Sequence, residues 1–170
     1  LDINGSLILR GSATLILDNA QINILQTAWY QHSITLGDPL DAVSGTGPSI
    51  RARNSTMGSS VWMKMELYGA SQVSFRSVTT KKAPIFLYNA SRLEASDSTL
   101  DLLSINNHAA ADLNATHVQQ SVGMSGASDL KMLNSRTDAF LARDLSVVSL
   151  DLSTISGYFL IDPSSVDCLI

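Results

Sequence analysis

Apolar and polar residues alternate in short bursts along this chain, and the bursts recur. Val73-Ser74-Phe75, Leu93-Glu94-Ala95 and Leu130-Lys131-Met132 each read apolar, polar, apolar. That in–out–in rhythm predicts a strand with one buried face. Residues 67–71 read LYGAS and residues 87–91 read LYNAS, two near-copies twenty residues apart. Sliding the chain by about that distance builds columns. The anchor column is Leu15, Ile50, Val73, Leu93, Leu113, Leu130 and Val148, all aliphatic. Two residues later stand Leu17, Ala52, Phe75, Ala95, Ala115, Met132 and Leu150. Four residues after the anchor stand Asn19, Asn54, Ser77, Asp97, His117, Asn134 and Leu152, mostly small and polar. Seven after it, Ile22, Met57, Leu100 and Ile155 are apolar, while Thr80, Gln120 and Thr137 are not.

Each unit is a strand, a turn that favours asparagine because asparagine tolerates a left-handed backbone, and a second short strand. A unit of roughly 17–23 residues cannot bury its own apolar face, but stacked units form a continuous core. The pattern therefore predicts an all-β fold, a parallel β-solenoid of about seven to eight coils. Equivalent residues should stack at about 4.8 Å, with Tyr68 over Tyr88 and His108 continuing that column. A β-sandwich also yields short alternating strands. The column identities favour the solenoid, and no long stretch of helical period carries helix caps.

The reading places one solenoid domain over residues 1–170. An excursion at about 25–47 (LQTAWYQHSITLGDPLDAVSGTG) fits no coil, and about 157–170 forms a terminal strand or cap. The chain starts at Leu1 without an initiator methionine, as expected of a mature form or an excised segment.

Composition adds to the picture. Only 15% of the residues are charged. In ordinary soluble domains the share is about a quarter. Ser, Thr, Ala and Asn take their place, which points to a packed, glycosylated or assembled surface. A net charge of −4 gives no basic stripe for nucleic acid. No apolar run approaches the roughly 20 residues of a membrane helix. Four N-glycosylation sequons begin at Asn4, Asn54, Asn89 and Asn114, a mild excess that favours an exported protein. Cys168 is the sole cysteine; it either packs in a terminal strand or forms an intermolecular disulfide.

The motifs G-A-S-Q-V-S-F at 69–75, N-A-S-R-L-E-A at 89–95 and G-A-S-D-L-K-M at 126–132 resemble right-handed parallel β-helix proteins of the pectin-lyase-like architecture. They also look like the repeat arrays of archaeal and bacterial cell-surface, S-layer-associated, adhesin-like and sheath-forming proteins. The resemblance spans roughly residues 1–160 and implies the fold and its handedness; a fold alone does not fix function.

Enzymes of that architecture gather acidic residues on one outer sheet. Here the aspartates are scattered: Asp101 and Asp138 fall two coils apart, roughly 9–10 Å, too far for one calcium ion. Lys81 beside Asp101 is expected to form a cross-strand ion pair. His32, His108 and His117 do not share a metal-ligand spacing. No catalytic residue, metal or cofactor is expected. Trp29, Tyr30 and Trp62 are candidates for contact with a glycan or partner, or they pack the joint between loop and solenoid.

Three function classes follow. The first is an extracellular structural protein that self-assembles into a cell-envelope polymer (sheath, S-layer or filament) through solenoid ends and edges, with itself as partner and other envelope proteins or glycans besides. The second is a glycan-binding adhesin or stalk module. The third is a polysaccharide lyase or hydrolase.

Overall fold

The structure, a computed structural model, describes residues 1–40 and 46–162, and the backbone of 167–169. Among them are strands and turns but no helix. All strand pairs are parallel, and every pairing joins one coil to the next. The fold is the expected parallel β-solenoid.

Each coil has three faces. The first is an eight-stranded sheet running from Thr14–Asp18 through Ser49–Arg53, Gln72–Arg76, Arg92–Ser96, Ala110–Asn114, Asp129–Leu133 and Val147–Asp151 to Asp167–Leu169. The second face holds Gln21–Ile24, Thr56–Ser59, Thr79–Lys81 and Thr99–Leu100; the third holds Leu7–Leu9, Ser33–Leu36, Lys64–Leu67, Ile85–Leu87 and Leu103–Asn106. In later coils the corner between these two faces opens. His117–Ser125 and Arg136–Ala142 run across both, so the two faces join into one fourteen-stranded sheet.

The inward columns make the core. On the first face Ile50, Val73, Leu93, Ala111, Leu130 and Val148 are buried one above another. On the third face Met65, Ile85, Leu103, Val122 and Phe140 do the same. A strand with only two inward positions buries too little to stand alone, so stability comes from neighbour-on-neighbour stacking. Thr80 and Thr137 are also fully buried. Each is hydrogen-bonded, Thr80 Oγ1 accepting the Asp101 amide and Thr137 Oγ1 donating to the Ala139 carbonyl, so neither leaves an orphan polar group.

The repeated pentapeptides occupy one place on adjacent coils, as expected. Leu67 and Leu87 are core residues in register. Tyr68 and Tyr88 stack with centroids 5.0 Å apart and planes 8° from parallel. Gly69 and Asn89 both take φ 61°. Glycine and asparagine accept that left-handed turn at low cost. Ser71 and Ser91 are buried and bond to the backbone of Tyr68 and Tyr88.

Five expectations need correction. Leu93 pairs with Ala111, not Leu113, so from that coil to the next the register lies two residues earlier than a twenty-residue step predicts. The shortening occurs at the corner between the second and third faces, where Lys81-Lys82-Ala83-Pro84 gives way to Asp101-Leu102. The run Ala109-Ala110-Ala111 looks alike in either register and hides the slip. In consequence Asn106, not His108, follows Tyr88; Ala115, not His117, takes the left-handed turn; and Val118, not Gln120, enters the core. Finally, the expected excursion at 25–47 is interrupted, because Ser33–Leu36 is a regular strand between Leu7–Leu9 and Lys64–Leu67. What departs from the solenoid is a loop before that strand and a loop after it, of which 41–45 lie outside the described residues.

Candidate functional site

Two exposed regions carry chemistry. The first is the outer side of the eight-stranded sheet. Its strands put every second residue outward, and depressions of about 300, 540 and 260 Å³ follow one another along it. Charge is divided along this face. The first three coils offer Arg51, Arg53 and Arg76 against Asp18. The later coils offer Arg92 and Lys131 against Glu94, Asp112, Asp129 and Asp151. Arg53 grips Asp18 with two parallel bonds, Nε to Oδ1 at 2.7 Å and Nη2 to Oδ2 at 2.5 Å. A bidentate charged pair of this kind lowers the Asp18 carboxyl below its ordinary value. Arg92 is shared between Glu94, at 3.3 Å, and Asp112. Arg51 and Arg76 make no ion pair among the described residues.

The second region is the loop before Ser33–Leu36. Gln26 is buried and acts as its staple. The amide nitrogen donates to the carbonyls of Val61 (3.2 Å) and Trp62 (2.8 Å), and the amide oxygen accepts the His32 N–H at 2.9 Å. The Tyr30 amide donates to the Trp62 carbonyl at 2.7 Å. So Tyr30 and Trp62 are brought together through the backbone, and Trp29 is left 70% exposed beside them. Tyr30 itself has φ 57°, and its ring centroid lies 5.3 Å from the Lys64 ammonium. A positive φ is unusual for so bulky a side chain.

The sequon asparagines are dispersed. Asn4 is exposed between Asp2–Ile3 and Leu7–Leu9. Asn54 and Asn89 hold left-handed turns at φ 47° and 61°. Asn114 ends a strand on the outer side of the first face, beside the 540 Å³ depression. Turn chemistry thus accounts for part of the sequon excess: Asn54 and Asn89 are left-handed turn residues, and Ser91 and Thr116, two residues after Asn89 and Asn114, are hydroxyls that bond the turn backbone. Cys168 lies in the strand Asp167–Leu169, beside Val148; its side chain is outside the described residues.

His117 begins the strand after the turn instead of sitting in it. Its Nδ1 is 3.1 Å from Arg136 Nη2, and burial, with Arg136, lowers its pKa below the ordinary histidine value. His108 is exposed in a left-handed turn. Lys81 does not pair with Asp101, whose carboxylate instead accepts Gln120 Nε2 at 2.8 Å. At the tyrosine corner, burial and the Glu66 carboxylate push Tyr68 up to about 12. No three His, Cys, Asp or Glu side chains converge into a metal site among the described residues, and no helix among them is long and apolar enough to cross a membrane.

Sequence reasoning misses the arginine group. Its signal is Arg51-x-Arg53 followed by Arg76 one coil on, which becomes visible only once register sets Arg53 beside Arg76. No protein-family model, curated protein or solved structure matches the chain.

Proposed function

We propose that this protein is an extracellular structural unit, a section of a cell-envelope polymer that grows by coil-on-coil pairing of one copy with the next. One observation carries the reading. The core columns are fully buried through the middle coils and loosen at both ends, where Ile3, Leu7 and Leu15 are half-buried on one side, beside buried Leu9, Leu17, Ile22 and Ile24, and Leu150, Ile155 and Ile161 are half-buried on the other. The outer edge of Thr14–Asp18 has no strand partner among the described residues. Such an end is a template for another strand, and another coil, from a second copy or from further residues of the same chain, is what would complete the columns. Low charge and four sequons fit an exported material.

The test is light scattering and negative-stain microscopy over a wide concentration range, on native protein and on Leu15→Lys. The native chain forms rods or filaments that lengthen with concentration, and the lysine on the end column stops them. A native chain that stays monomeric at every concentration defeats the reading.

A second reading has its own support in the Gln26-stapled loop: binding of a glycan by the exposed ring of Trp29, with Tyr30 and Trp62 beside it. Stacking on sugar faces needs rigid, solvent-facing aromatics, and this loop supplies them. In that case Trp29→Ala removes binding on a glycan array while leaving the melting temperature unchanged. Equal binding by the variant rejects the reading.

A further inference from the structure

Three arginines and one aspartate line a single depression of about 300 Å³ on the outer side of the first face. Arg53 and Arg76 are in-register neighbours. Their two guanidinium groups therefore start from adjacent strands about 4.8 Å apart. Like charges placed directly opposite one another destabilise a sheet. Asp18 offsets one of the three through its bidentate bond to Arg53. Arg51 and Arg76 keep their charge, and the Ser74 side chain faces outward between them, in register with Arg51. Glu94, the next carboxylate along the face, is engaged by Arg92. The depression therefore offers hydrogen-bond donors and two uncompensated positive charges. One wall is Ile16, 70% exposed.

We propose that Arg51, Ser74 and Arg76, with Arg53 anchored behind them by Asp18, bind a doubly charged tetrahedral oxyanion, the phosphate monoester group of a larger molecule. Planar guanidinium forks match the oxygens of such groups, and the excess of two charges matches a dianion better than a single carboxylate. Ile16 gives an apolar contact to the molecule that carries the ester. The site opens sideways from the sheet and its ligand binding does not require polymer growth, although Ile16 and Asp18 belong to the end strand Thr14–Asp18.

The experiment is titration at low ionic strength, read by the amide NMR signal of Ser74 and by calorimetry. The probes are inorganic sulfate, inorganic phosphate and a hexose phosphate as dianions, and acetate, a uronic acid and a monosulfated disaccharide as singly charged controls. Sulfate and phosphate at about pH 8 shift Ser74, and the controls do not. Hexose phosphate binding falls as pH drops through about 6, where its dianion takes up a proton, and inorganic phosphate binding falls about one pH unit higher, while sulfate binding does not change. Tighter binding of the hexose phosphate than of inorganic phosphate shows that the site holds the ester, and equal binding shows that it holds the free ion. Arg51→Gln and Arg76→Gln each weaken binding at least about tenfold, whereas Arg143→Gln has no effect. Asp18→Asn acts in the opposite direction and tightens binding, which separates loss of a site from loss of fold. No shift with any dianion, equal binding of acetate, or equal loss in Arg143→Gln overturns the proposal.

Discussion

The corner from the first face to the second and the corner from the second to the third meet the same demand, to turn the chain by one face, in different ways. The former is repeated in every coil. Its pivot residues are Asn19, Asn54, Ser77, Asp97, Ala115, Asn134 and Leu152, all with φ between 47° and 53°. Next to the pivot, a side-chain hydroxyl recurs in Ser55, Ser98, Thr116, Ser135 and Ser153. Each donates to the carbonyl two residues back. Most also accept an amide from the preceding coil, as Ser98 accepts Val78 N–H and Ser135 accepts Thr116 N–H. The corner between the second and third faces keeps no such rule. It is a loop of several residues after Gln21–Ile24, a short link after Thr99–Leu100, and a bulge inside His117–Ser125. A solenoid therefore needs strict chemistry where coils lock to one another through polar ladders. It can leave the remaining corner free for insertions.

The strict corner can be disabled by one substitution. Ser98→Ala leaves the buried Val78 amide without its acceptor. An unsatisfied buried donor costs about 1–3 kcal/mol, so the thermal unfolding midpoint should fall by several degrees. Trp29 stands exposed in the loop at the free corner. Its replacement by alanine should change stability by no more than about 0.5 kcal/mol, measured by the same unfolding curve. An effect of opposite sign tests the pivot itself. Ala115 and Leu152 hold a left-handed backbone without the side chain that favours it. That conformation costs about 1 kcal/mol at each. Ala115→Asn and Leu152→Asn should each raise the melting temperature, whereas Asn54→Ala should lower it.

The smallest effect is on pH dependence. His117 directly follows Thr116 at the strict corner, and its folded pKa lies below the ordinary value of 6.5, first through burial and then through Arg136. A histidine depressed in the fold favours folding in its neutral form. Its contribution is complete above about 6.5 and is lost as pH falls through the lowered folded value. Chemical denaturation between about pH 8 and pH 5 should show a decline that His117→Gln reduces. An unchanged decline would mean the histidine is not the group responsible.

The strict corner is also what made the fold legible. Six of its seven pivots stand in the columns drawn from sequence, because asparagine, serine and aspartate at a fixed offset from an aliphatic anchor are a local signal. Ala115 does not show as a pivot because alanine carries no turn preference, and the free corner drops two residues without leaving a mark. Ser33–Leu36 reads as part of an excursion because its neighbours on both sides are irregular. Of the candidate sites, Trp29, Tyr30 and Trp62 could be read as exposed-aromatic candidates, and the structure joins Tyr30 to Trp62 through the backbone. The arginine group depended on register across coils, which single-strand patterns do not contain.

The uneven coil lengths also have a kinetic consequence. Leu15 must find Ile50 far along the chain, whereas Leu93 finds Ala111 across about half that separation. Closing a chain segment of twice the length costs about 0.6 kcal/mol more entropy, before any contact is made to offset it. Folding is therefore expected to start among the short coils in the middle and the C-terminal half, where each closure is cheapest, and the first coil to zip on last.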